Sequence, residues 1–142
     1  MKPVLGPTRL RIGADLTVPV AGAWFPYTSK LSDELSVLSL AVRPMLGDIA
    51  SIEVTWRNFA RIAGFDSENT VDELPLMTFA TAGSSVTLLV IPPRTASSLA
   101  ATLLRLAGDQ VIIDGHLHSL EQRRAARILE RATAQRQRAV AG

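Results

Sequence analysis

Two-residue alternation of apolar and polar positions is clearest at residues 49–56. There Ile52, Val54 and Trp56 share one side of an extended chain, and Glu53 and Thr55 share the other. That pattern predicts a strand. Residues 74–81 and 85–92 read as a β-hairpin around Ala82-Gly83-Ser84, with Gly83 supplying the positive φ such turns favour. The second arm, Val86-Thr-Leu-Leu-Val-Ile91, is apolar on both faces, as expected where another element packs over it. Pro92-Pro93 stops that strand, and the period then changes to 3.6. Ala96, Leu99, Ala100, Leu103, Leu106 and Ala107 fall on one stripe, predicting a helix over 95–107 with Thr95 as its cap and Gly108 just past its end.

The flanks are less regular. Residues 1–15 carry Pro3, Gly6, Pro7 and Gly13 and read as a flexible N-terminal arm. A strand is expected at 16–20, and Trp24, Phe25 and Tyr27 around Pro26 suggest a second extended piece, because a proline pushes its predecessor toward β geometry. Residues 35–42 mix both periods, so strand and helix stay open, with Pro44 and Gly47 expected to end the element. A short extended segment at Val111-Ile-Ile113 and a turn at Asp114-Gly115 lead to a final helix near 119–138. Ser119 and Gln122 form a capping box there, and Leu120, Ile128, Leu129 and Ala132 form a thin apolar stripe. That stripe must be hidden, either on the chain's own sheet or against a second copy by two-fold symmetry. The expectation is a projecting helix whose removal leaves the fold intact.

Three stretches resemble a pleckstrin-homology-like (PH-like) domain of the bacterial type. They are Trp24-Phe-Pro-Tyr leading into 35–42, Gly-Asp-Ile-Ala-Ser-Ile-Glu-Val at 47–54, and the hairpin arm 85–93 running straight into a helix. The resemblance covers residues 24–108. It implies an α+β fold in which a strongly bent antiparallel β-sheet, a partly open barrel of seven strands, is capped by the helix near 95–107. The helix near 119–138 is extra to that pattern. The domain division is then an arm at 1–15, a PH-like β-domain at 16–108, and a short strand or linker with an arginine-rich helix at 109–142. Bacterial relatives of this kind serve as scaffolds and oligomerisation modules or as parts of membrane-associated proteins. The loops near Lys30, Arg43 and Arg57 lack the basic cluster that grips lipid phosphates in other relatives, and fold alone does not give function.

Composition narrows the classes. The 142 residues are 47% apolar and 20% charged, a globular balance in the single-domain range. With no cysteine, disulfides, zinc–thiolate sites and thiol nucleophiles are excluded, and a cytoplasmic location is the simplest expectation. The apolar stretch at 16–25 is short, follows Asp15 and contains Pro19, unlike a secretory leader. No apolar run approaches the ~20 residues needed to span a bilayer. Residues 1–118 hold nine basic and eleven acidic side chains, whereas residues 119–142 hold six arginines against Glu121 and Glu130. The basic character therefore belongs to the last helix.

Motifs for chemistry are sparse. Val111-Ile-Ile-Asp-Gly-His-Leu-His118 looks like the opening of metal-dependent amidohydrolases, since His116 and His118 lie two apart on an extended chain. Those enzymes are (β/α)8 barrels that the motif opens, whereas here only 24 residues follow and no third histidine exists. The acidic run Asp66, Glu68, Asp72 and Glu73 fails the EF-hand pattern, with Val71 and Met77 at its sixth and twelfth positions. No Gly-x-Ser-x-Gly elbow and no glycine-rich phosphate loop occurs. No catalytic residue, metal ligand or cofactor is assigned. Arg123, Arg124, Arg127 and Arg131, on adjacent rows of one helix surface, are the expected partner-binding residues. The expectation is a non-catalytic interaction or scaffold module that contacts another protein or a second copy of itself. The alternative is a small metal-dependent hydrolase, or an enzyme accessory subunit, using His116 and His118. Nucleic-acid or anionic-membrane binding through the arginines is third.

Overall fold

In the computed structural model, the residues described are 9–13, 16–28, 34–56, 64–65, 74–108 and 120–141. They form five strands and three helices: β1 (Leu10–Ile12), β2 (Gly22–Trp24), α1 (Leu35–Leu46), β3 (Ser51–Val54), β4 (Leu76–Ala80), β5 (Ser85–Val90), α2 (Ser97–Ala107) and α3 (Leu120–Ala141). The fold is α+β. Its sheet is open, in the order β1-β2-β5-β4-β3. β2 and β5 run parallel, and the other three neighbouring pairs are antiparallel. The chain passes from β2 through α1 to β3 at the far edge, and the β4–β5 hairpin fills the space between them, giving a split β-α-β unit.

Alternation in β5 explains the layering. Val86, Leu88 and Val90 face a core with Trp24, Met77, Phe79, and Leu38 and Val42 of α1. Leu89 and Ile91 face the opposite core, with Leu99, Ala100 and Leu103 of α2 and Ala125, Ile128 and Ala132 of α3. The doubly apolar strand is thus covered on both faces. The helices expected near 95–107 and 119–138 are α2 and α3.

Other expectations are corrected locally. Residues 35–46 are a helix, because Leu35, Leu38, Val42 and Leu46 recur at helical spacing and bury one side while Ser36 stays exposed. Pro44 lies inside α1 instead of ending it, and Gly47 closes the helix at φ 79° with its N–H donating to the Arg43 carbonyl. The strand expected at 16–20 is a turn, and pairing begins at Gly22. Within the segment read as an arm, residues 10–12 form edge strand β1. In the hairpin, the loop closes through Thr81 N–H donating to the Ser84 carbonyl at 2.9 Å. Gly83 is not at positive φ; among the described glycines only Gly47 is. Gly108 (φ −86°) matters by proximity, since a Cβ there would lie 3.1 Å from Arg11 Cβ. Thr95 does not cap α2. Its Oγ1 accepts from Phe65 N–H at 3.0 Å, and Ala96 takes the cap position.

A buried carboxylate fixes the entry to α1. Glu34, 4% exposed, accepts from Tyr27 N–H, Thr28 N–H and Thr28 Oγ1, each at 2.8 Å. The charge also sits at a helix N-terminus, where it is favoured. Glu34→Ala strands two backbone donors, and charge-assisted bonds of this kind contribute about 1.5–3 kcal/mol. The expected loss is about 3 kcal/mol, read as a melting point lower by roughly 8 °C; a shift below about 2 °C would mean the three bonds are replaced by water at little cost.

Candidate functional site

α3 was expected to project, and it instead lies along α2. Ala125 and Ala132 are fully buried and Ile128 is nearly so. Small residues at 125 and 132, two turns apart, let the helix backbones approach closely. Gln135 extends the attachment. Its Oε1 accepts from Leu74 N–H at 2.7 Å and its Nε2 donates to the Leu74 carbonyl at 3.0 Å, so one amide satisfies both backbone groups of a residue 61 positions away. With that face held inward, Arg123, Arg124, Arg127 and Arg131 are all exposed on the outward side. The structure therefore places the four expected residues on one exposed surface of α3.

α1 carries a second surface, which sequence reasoning did not single out. Its inner stripe is spent on the sheet, yet its outer side is also apolar: Leu40 is 65% exposed and Val37 48%, with exposed Pro44 beside them, and Met45 at the helix end is 46% exposed. A helix apolar on two opposite sides is normally covered on both. The only charged side chain on α1, Arg43, is bonded to Asp48 at 3.0 Å. Beside it, Ser39, Arg43 and residues 48–52 line a groove of about 590 Å³ between α1 and β3. β3 is a sheet edge, paired only with β4 among the described residues, and Val54 on it is 44% exposed. The signal in the sequence was the leucine-valine content of 35–46 itself, too apolar for one buried stripe.

Arg9 was also missed. Its guanidinium stacks on the rings of Phe25 at 3.9 Å and Tyr27 at 3.8 Å, and donates to the Phe25 and Pro26 carbonyls at 3.0 and 2.9 Å. It is a structural clamp on the Trp24-Phe-Pro-Tyr segment. His116, His118, Asp114 and the segment 111–113 lie outside the described residues, as do Ser119, Lys30, Arg57, Asp66, Glu68, Asp72 and Glu73. Among the described residues, no three histidine or carboxylate side chains cluster as a metal site. No described helix is long and apolar enough to cross a membrane.

These features define an α+β domain whose open five-stranded sheet has helices on both faces and whose outer helix surfaces, one apolar and one basic, are displayed to solvent. Residues 9–107 match the model of the "Family of unknown function (DUF5994)", and the chain belongs to that family. The match ends with α2, leaving α3 beyond it. A comparison with curated proteins and with solved structures found no match.

Proposed function

We propose that the protein is a non-catalytic interaction module that self-associates through the outward face of α1. The observation that carries this reading is the exposure of Val37, Leu40 and Pro44 on the side of α1 opposite its buried stripe, with Met45 also half-exposed at the helix end. Burial of such side chains is worth about 25 cal/mol per Å² of apolar surface. A second copy suits the patch because it is nearly neutral: Arg43 is offset by Asp48, so two-fold apposition brings no like charges together. α3 offers the contrast. Its arginines would repel their own copies, which assigns self-contact to α1 and leaves the basic strip facing outward. The lack of cysteine fits a cytoplasmic setting.

Leu40→Glu places a charge at the centre of the patch without touching the core. Sedimentation velocity is expected to give a dimer for the wild-type chain and a monomer for Leu40→Glu, with unchanged circular dichroism. A wild-type chain that stays monomeric up to millimolar concentration removes the reading.

A further inference from the structure

Arg136 does not share the face of its fellow arginines. It follows Ala132 by four residues and Leu129 by seven, which places it on the side of α3 that turns toward the sheet, and it is half-buried. It closes one wall of a cleft of about 360 Å³, with residues 16–19 of the β1–β2 loop and Ser85 and Thr87 of β5 as the others. That volume lies within the range of small-ligand sites. Gln137 adds an amide at the rim.

The floor of the cleft is chemically out of place. Thr78 and Thr87 are register partners on the same sheet face as Leu76 and Leu89, which the α2–α3 layer covers. Where that face runs out under the end of α3, leucines give way to hydroxyls. Thr87 is 3% exposed, and its Oγ1 lies 2.8 Å from Thr78 Oγ1. Two hydroxyls carry two protons, and this contact uses one. Neither hydroxyl makes another hydrogen bond among the described residues, and where Thr78 is the donor of this contact the Thr87 proton can be donated into the cleft. Together with Ser85 Oγ and the Arg136 guanidinium, the polar side of the cleft is rich in donors and has no acidic side chain among its described lining. Its other side carries Leu16, Val18 and Pro19, with Thr17 between them.

We propose that this cleft binds a small monocarboxylate with a compact apolar body. The carboxylate would meet Arg136 and the Ser85 and Thr87 hydroxyls, and the apolar body would lie against Leu16, Val18 and Pro19. One guanidinium backed by neutral donors matches a single negative charge; a phosphate dianion generally draws more than one cation.

Benzoate is a direct probe, with benzyl alcohol as its uncharged counterpart and inorganic phosphate as an anion without an apolar body. Each is titrated into the 15N-labelled full chain and followed by amide chemical shifts. Benzoate is expected to give saturable shifts at Ser85, Thr87 and residues 16–18, with benzyl alcohol and phosphate each at least tenfold weaker. Arg136→Gln is expected to weaken benzoate at least tenfold, and Val18→Ser about threefold. Arg105→Gln, which removes the same charge from exposed α2 surface, is expected to change nothing. The proposal is overturned if benzoate produces no saturable shift, if Arg136→Gln binds it as well as the wild type does, or if alcohol or phosphate binds equally.

Discussion

A chain ending at residue 119 is expected to lose its cooperative fold, although the family match covers only residues 9–107. α3 covers Leu99, Leu103 and Ala107 of α2 and, through the same cluster, Leu74, Leu76, Leu89 and Ile91 on the sheet side. Removing it uncovers that layer, discards the burial of Ala125, Ile128 and Ala132, and leaves both backbone groups of Leu74 without Gln135. The Leu74 carbonyl keeps only its bond from Thr55 Oγ1. Losing one well-buried aliphatic residue costs about 2–5 kcal/mol, and uncovering a whole layer is comparable with the 5–15 kcal/mol that holds a domain of this kind together. The truncated chain is therefore expected to be insoluble, or to show a broad melt with poor amide dispersion. A sharp melt within a few degrees of the full chain would mean that the α2–α3 contact contributes little.

Gly22→Ala is expected to be strongly destabilising for a single added methyl. A Cβ at residue 22 would be driven into the Arg11 carbonyl oxygen and would lie 2.9 Å from Ile12 Cα, both of them backbone atoms of the neighbouring strand. Neither can step aside without breaking the β1–β2 ladder, whose register sets Ile12 opposite Gly22. Arg9, which begins that segment and clamps Phe25 and Tyr27, would be displaced with it. Overpacking costs about 1–3 kcal/mol by itself, and loss of the edge strand raises the expected total to roughly 3–5 kcal/mol. Gly83→Ala is the matched control: a Cβ there meets nothing within 4 Å, so its effect should stay within about 0.5 kcal/mol. Urea unfolding midpoints decide the matter, and equal midpoints for the two variants would contradict the close β1–β2 approach.

Regular periodicity was legible where one element had one job. The β4–β5 hairpin and α2 were plain because alternation and the 3.6-residue stripe each ran uninterrupted, and the doubly apolar β5 announced cover on both faces. α1 was ambiguous for the reason that makes it interesting, since a helix apolar on both sides shows no contrast from which to read a period. The parallel β2–β5 pair leaves no local signal, because nothing in three residues of β2 records which distant strand lies beside it. The Glu34, Arg9 and Gln135 contacts likewise join polar side chains to distant backbone, and only the assembled fold brings them together. The resemblance to a PH-like domain implied a sheet plugged by a single helix. The described residues keep a helix after the last strand, but their sheet is five-stranded with the parallel β2–β5 pair and carries α1 on the opposite face. Helical spacing alone puts the four arginines on one side of α3, whereas the docking of their helix depended on Ala125 and Ala132, too small to stand out in a hydropathy pattern.

Because the chain contains no cysteine, single-cysteine variants give the most direct test of self-contact through α1. Leu40→Cys puts a thiol near the middle of the apolar face, and Arg127→Cys puts one on the outward face of α3. Under mild oxidation the first is expected to form a covalent dimer of twice the 15.3 kDa chain mass rapidly, and the second only slowly. Equal rates at the two positions, or faster trapping at Arg127→Cys, would contradict an interface built on α1.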